Sequence, residues 1–299
     1  MASDRRLLGY AVALSGVALF TPDALMIRLA DAEPFTYILI RSLLVAGALT
    51  LGIALFARAS PWPLFRRMGR PGIWAGLLNG VSSLCFVFAF SHTAAANVLV
   101  YIAAQPALVG AIAWLVIREP VGRSTLFAML GTAVGIGIVV SHSLGTPSLL
   151  GDGAALIAAL LSASWFVVLR RHAEVDLVPS VALSGLITAG LCLILLVATG
   201  TGWSGFAALG WSNIGWTLLN CGLMVPLALG LVAIAPRLLP AAEVSLLMLI
   251  EVVVGPLWVW AVLGEVPPTA TLIGGTVILL SVGTHAALRL RHRRAPAPA

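Results

Sequence analysis

Three short polar series in otherwise apolar surroundings are where this chain has chemistry to offer. Asn97, Tyr101 and Gln105 stand at i, i+4 and i+8 within the stretch 95–117, and Glu243, Leu247 and Glu251 occupy the same spacing within 241–263. Residues so spaced share one face of a helix. Two amides, a phenol and two carboxylates facing a common space suit a small polar solute. Tyr101 and Gln105 offer hydrogen bonds and a ring to stack on. Glu251, near the middle of its stretch, offers a charge that attracts an ammonium group or takes up a proton. Ionisable groups in hydrocarbon are costly, so each is a functional candidate by default. The competing reading is hydrogen bonding between helices with no ligand.

A second series, Asn79, Ser83, Phe86 and Phe90, lies on one face of 73–92. Ser82 and Ser83 are equally suited to bonding backbone carbonyls or to close helix packing. Trp165 sits deep within 151–171, away from the interfacial belt where membrane tryptophans gather, and is read either as a substrate-stacking ring or as packing. Asn220 and Met224 within 212–235 carry the same pair of readings. Asp23 and Arg41 each lie six residues from the end of their stretch, roughly 9 Å deep at about 1.5 Å per residue. They are expected to form a structural ion pair beside Pro22, with carboxylate binding by Arg41 as the alternative. Glu119 and Glu265, at the ends of stretches, are expected to cap or anchor loops.

Other chemistries find no footing. The five histidines have no metal-ligand spacing, and Cys85, Cys192 and Cys221 are read as small core residues without disulfides. No metal and no cofactor are expected. There is no Gly-rich Lys-Ser/Thr phosphate loop, no His-Glu-x-x-His and no Gly-x-Ser-x-Gly, so neither direct ATP use nor an intramembrane enzyme is favoured.

The elements that position these residues follow from composition. Of 299 residues, 60% are hydrophobic and 9% charged, with a mean hydropathy of +1.06. Soluble domains carry about 25% charged residues, so the apolar surface here must face lipid. Ten stretches approach the about 20 apolar residues of a membrane helix: 7–29, 35–57, 73–92, 95–117, 124–142, 151–171, 178–199, 212–235, 241–263 and 269–288. The first is too long for a secretion signal and contains Asp23, so it reads as an uncleaved span. All 17 basic residues are arginines, and with a cytoplasmic N-terminus 15 of them fall on the inner side. That asymmetry predicts both termini in the cytoplasm. It also explains the net charge of +6 without nucleic acid. The tail 293–299 is expected to be a disordered cytoplasmic end near anionic lipid.

The chain also matches itself at a shift of 146 positions. Ala95, Trp114, Glu119 and Thr125 meet Ala241, Trp260, Glu265 and Thr271, and Phe20 meets Phe166. The reading is two five-helix repeats, 1–146 and 147–292. Five spans is an odd number, so the second repeat enters the membrane from the opposite side. Inverted repeats with a site near the midplane are the architecture of secondary transporters. The fold class is thus an all-α membrane protein of ten transmembrane helices in two inverted five-helix repeats.

With this repeat, this span count, Pro106, Glu119 and Glu265, the whole chain resembles the drug/metabolite transporter superfamily, in its ten-helix EamA-type branch. Within that branch it looks most like YddG-type amino-acid exporters. Pro256 lies one helical turn after the position that matches Pro106. The resemblance implies export of amino acids, aromatic ones included, and similar amphiphilic metabolites by alternating access. It implies a multi-pass protein of the bacterial inner membrane, whose partners are a small-molecule substrate and the lipid bilayer, with a monomer plausible. The alternatives are a carrier for drugs, lipophilic cations or lipid-linked metabolites, an intramembrane enzyme, or a channel.

Overall fold

The computed structural model describes residues 2–57, 62–118, 123–144, 148–172, 174–199, 211–239 and 241–294, which contain helices and no strand. In order these are α1 (Ala2–Phe20), α2 (Asp23–Ala30), α3 (Pro34–Ala57), α4 (Trp62–Arg67), α5 (Gly69–His92), α6 (Ala95–Ala103), α7 (Gln105–Ile117), α8 (Arg123–Ser143), α9 (Ser148–Arg171), α10 (Val178–Thr199), α11 (Trp211–Leu219), α12 (Val225–Leu238), α13 (Ala241–Leu263) and α14 (Thr269–Arg294). A π-helical turn, Asn220–Met224, joins α11 to α12. An all-helical answer is what hydrocarbon demands, because a helix pairs its backbone polar groups within one segment.

Seven helical stretches are long and apolar enough to cross a membrane: Leu7–Ala30, Pro34–Leu55, Gly69–His92, Ala95–Val116, Ser148–Arg171, Val178–Ala198 and Asn213–Ala235. Three further apolar runs, Leu126–His142, Leu247–Leu263 and Thr269–Thr284, are shorter. They belong to α8, α13 and α14, where the sequence places its fifth, ninth and tenth spans. Outward-facing Leu115, Phe127, Ile194, Val197 and Leu280 are all more than half exposed. Contiguous apolar surface of that kind belongs against lipid.

Two of the spans are broken beside a proline, a third carries a π turn beside one, and a fourth runs through one. Thr21 and Pro22 separate α1 from α2, and Ala104 separates α6 from α7 just before Pro106. The π turn precedes Pro226, and Pro256 lies inside α13. Proline supplies no N–H to the helical ladder and its ring crowds the preceding turn. At Ala104 the ladder tightens, with the amides of Ala104 and Ala107 donating to the carbonyls of Tyr101 and Ala104 three residues back, at 3.2 and 3.0 Å.

The helices pack in pairs: α5 on α9, α8 on α14, α3 on α10, α5 on α10, and α1 on α12. Small residues set the closeness, as they do where lipid supplies no hydrophobic drive between helices. A Cβ on Gly185 of α10 would stand 2.7 Å from the carbonyl oxygen of Ser42 in α3. Gly135 of α8 and Gly274 of α14 face each other, and a Cβ on either would stand 2.7 Å from the other's carbonyl oxygen. Gly190, also in α10, has open space around it.

Gly185→Val is therefore expected to cost about 1–3 kcal/mol through overpacking. Gly190→Val should leave thermal unfolding in detergent unchanged. A Gly185→Val protein as stable as the parent contradicts the close α3–α10 contact.

Candidate functional site

The site begins with a charge pair. Asp23 opens α2 immediately after the Pro22 break, and Arg41 lies within α3. Arg41 Nη1 donates to Asp23 Oδ1 at 2.7 Å and Nη2 to Oδ2 at 2.8 Å. The side chains are 1% and 6% exposed respectively. A two-pronged guanidinium–carboxylate contact is the geometry that compensates burial best. Asn220, in the π turn, adds a third donor to the Asp23 carboxylate, at 2.7 Å from Oδ1, and reaches the Tyr37 hydroxyl at 3.3 Å, which in turn meets Cys221 Sγ at 3.4 Å. The extra residue of a π turn swings Asn220 towards α2.

Beside the pair lies a partly open cavity of about 120 Å³, close to one that takes up a benzene-sized molecule (roughly 150 Å³). Asn79, Ser83, Phe86, Gln105, Trp165 and Glu251 all line it, and so does Arg41. They come from α5, α7, α9, α13 and α3. Gln105 Nε2 donates to Ser162 Oγ, and Asn79 Nδ2 donates to Ser184 Oγ at 2.9 Å. Phe86 meets Phe90 edge to face, ring centroids 4.8 Å apart. Trp165 packs edge-on against Phe166 at 4.9 Å, is 3% exposed, and its indole Nε1 has no hydrogen-bond partner among the described residues. Glu251 is 6% exposed and lies within electrostatic reach of Asp23 and Arg41.

Several residues fall elsewhere. Asn97 and Tyr101 do not share the cavity with Gln105. The tight turn at Ala104 winds about 3 residues per turn rather than 3.6, so the i, i+4, i+8 face of a straight helix is split. Asn97 instead donates to Thr93 Oγ1 at 3.2 Å and Asp152 Oδ1 at 3.3 Å, and accepts from Thr271. Tyr101 is fully buried, with no partner for its hydroxyl among the described residues. Asn220 serves the ion pair rather than the cavity. Met224 is half-buried at the end of the π turn and is not a cavity-lining residue, whereas Val225, Leu229 and Val232 of α12 are. The side chain of Glu243 and the whole of Glu119 lie outside the described residues. Glu265 anchors the start of α6: its Oε1 accepts from Ala95 N at 3.1 Å and lies 3.3 Å from Arg28 Nη2.

Sequence reasoning missed Ser42, Ser162, Ser184, Thr188 and Met248 as cavity walls. The spacing of Ser184 and Thr188, and of Ser162 and Phe166, was the available signal: hydroxyls one helical turn from another cavity residue. Most of these hydroxyls bond carbonyls, as Ser42 does to Ile38 at 2.6 Å and Thr188 to Gly80 at 2.8 Å, so they soften the wall without offering free donors.

Removing half of the charge pair leaves the other half buried and uncompensated. Arg41→Leu is expected to destabilise the protein by roughly 3–5 kcal/mol. The double variant Asp23→Leu/Arg41→Leu should be more stable than Arg41→Leu alone. Equal thermal stability of Arg41→Leu and the parent refutes the pair's structural role.

Comparison with known proteins agrees with this fold. A crystal structure of a protein 18% identical to this chain matches with a TM-score of 0.63, covering 96% of this chain and 99% of that one. At that identity the likeness speaks for the fold alone. No curated protein matches the chain by sequence. Residues 7–141 match the EamA-like transporter family. That match covers somewhat under half of the chain, and the apolar helices are those of a multi-pass membrane protein.

Proposed function

We propose that this protein is a secondary transporter that exports amino acids, including aromatic ones, and similar small metabolites across the bacterial inner membrane by alternating access. It crosses the membrane ten times as two inverted repeats, 1–146 and 147–292, with both termini in the cytoplasm. YddG-type exporters are the branch it is taken to resemble.

The observation that carries this reading is the cavity with polar side chains in its lining, walled by α3, α5 and α7 and by α9, α10, α12 and α13. The helix pairing supports the inversion. If α1 with α2 exchanges with α9, and α5 with α11–α12, then the α1–α12 contact exchanges with α9–α5. The α3–α10 and α8–α14 contacts map onto themselves. A pseudo-twofold axis in the membrane plane has that effect. Energy then comes from a substrate or proton gradient.

One observation favours the alternative of lipophilic cations or lipid-linked metabolites. A second hollow of about 330 Å³ opens between α6, α13 and α14, lined almost wholly by apolar groups such as Val100, Leu257, Trp260 and Leu272.

Transport into proteoliposomes with an amino-acid panel tests the main reading. Saturable counterflow is expected, and Glu251→Ala or Gln105→Ala should lower it roughly ten- to hundredfold at equal protein level, the worth of one hydrogen bond to a charged group. Unchanged flux in both variants removes the cavity from the mechanism, and absence of any flux removes the transport of amino acids.

A further inference from the structure

We propose that Glu251 exchanges one proton for one organic ammonium ion, so that the preferred cargo is a monocation carrying an uncharged hydrogen-bond acceptor rather than a zwitterion. This rests on the transport reading and, among its cargoes, ranks the similar small metabolites that are cations above the amino acids themselves.

The reasoning is a charge ledger of the cavity. Two charged side chains line the cavity, Arg41 and Glu251, and Asp23 is bound to Arg41. Arg41 is already committed, since both terminal nitrogens bind Asp23, one to each carboxylate oxygen. Asn220 adds a third bond to Asp23. That pair is neutral and closed. Glu251 remains, almost wholly buried, and among the described side chains it makes no hydrogen bond and no ion pair. The other helices packed on α13 are α1, α2, α6, α7, α12 and α14. Of these, α2 presents Asp23. Tyr101 of α6 lies under the influence of Asp152 instead. The remaining charge acting on Glu251 is Arg41, from α3 across the cavity.

An ionised carboxylate without a partner in an apolar site is strongly disfavoured. Glu251 must therefore carry either a proton or a cation, and both need the same oxygens. Binding then reads R–NH3+ plus Glu251–COOH giving the Glu251 carboxylate–ammonium pair plus H+, with the proton leaving to water at the cavity mouth. Both loaded forms of the site are neutral, so each can cross without an unpaired charge.

The second contact comes from Trp165. Its buried Nε1–H has no acceptor among the described residues, and an unspent buried donor is worth satisfying by a ligand. It suits a carbonyl, amide or hydroxyl. A ligand carboxylate placed there finds no uncommitted cation, because Arg41 is held by Asp23. Phe20, Phe86 and Phe166 wall the same space and favour a ring or short apolar body.

Phenylalanine amide and phenylalanine, the same body with and without the extra anion, are the probes. Adding phenylalanine amide to lightly buffered, detergent-solubilised protein should release about one proton per bound molecule. Phenylalanine should bind at least about tenfold more weakly. Glu251→Gln should release none, while Trp165→Phe should keep the release and weaken binding of the amide. In proteoliposomes a pH gradient should drive accumulation of the amide in the parent and not in Glu251→Gln. Phenylalanine counterflow as fast as that of the amide, with no proton released by either, overturns the exchange while transport stands. Proton release retained in Glu251→Gln also overturns it. No counterflow of either compound overturns the transport reading as well.

Discussion

A carboxylate and a guanidinium sealed together in apolar surroundings organise the middle of this protein. Asp23 is available to Arg41 because Pro22 ends α1 and lets α2 start afresh. The pair fixes the angle between α2 and α3. Through Asn220 it also fixes the π turn that redirects the span containing α11 and α12. A buried pair is poor evidence for net stability, since two hydrophobic groups of like size often do as well. Its value here is placement. It commits Arg41 and leaves Glu251 as the cavity-lining charge without a fixed partner.

A second polar cluster ties the helix ends near Arg28. Thr93 donates to Asp152 at 2.7 Å, Asn97 bridges Thr93, Asp152 and Thr271, and Arg28 reaches both the Thr93 carbonyl at 2.9 Å and Glu265. Six elements meet there: α2, the turn between α5 and α6, α6 itself, α9, the loop before α14, and α14. Most of these groups are buried, so each bond replaces one that water is not there to make. Glu265 also accepts the first amide of α6, one of the donors a helix start leaves without an internal partner.

Much of this was legible in the residues and their spacing. Apolar stretches located the helices, because in lipid few other backbone conformations are permitted. Asp23 and Arg41 were legible as partners because equal depth in adjacent spans leaves charged groups little else to meet. Gln105, Trp165 and Glu251 were legible as polar or asymmetric groups at mid-span. Asn97 and Tyr101 were misplaced because an ideal helix was assumed across Ala104, and a proline two residues on is enough to break the phase. Asn220 was misplaced for the same kind of reason, since a π turn shifts everything beyond it by most of a residue step. Ser42, Ser184 and Thr188 were hidden because a hydroxyl bonded to its own helix looks, in sequence, like any other tolerated serine or threonine.

The facing glycines of α8 and α14 divide the molecule into two mechanical parts. With Ile278 packed over Gly135, Val139 over Gly274, and a Cβ on either glycine 2.7 Å from the other's carbonyl oxygen, this seam has little slack to take up. It behaves as a rigid strut. Compliance belongs instead to the segments that proline has already interrupted, at Pro22, Pro106, Pro226 and Pro256, where the helical ladder is incomplete. Those four joints lie in the helices that border the cavity or its ion pair, so the parts free to bend are the parts that hold the cargo.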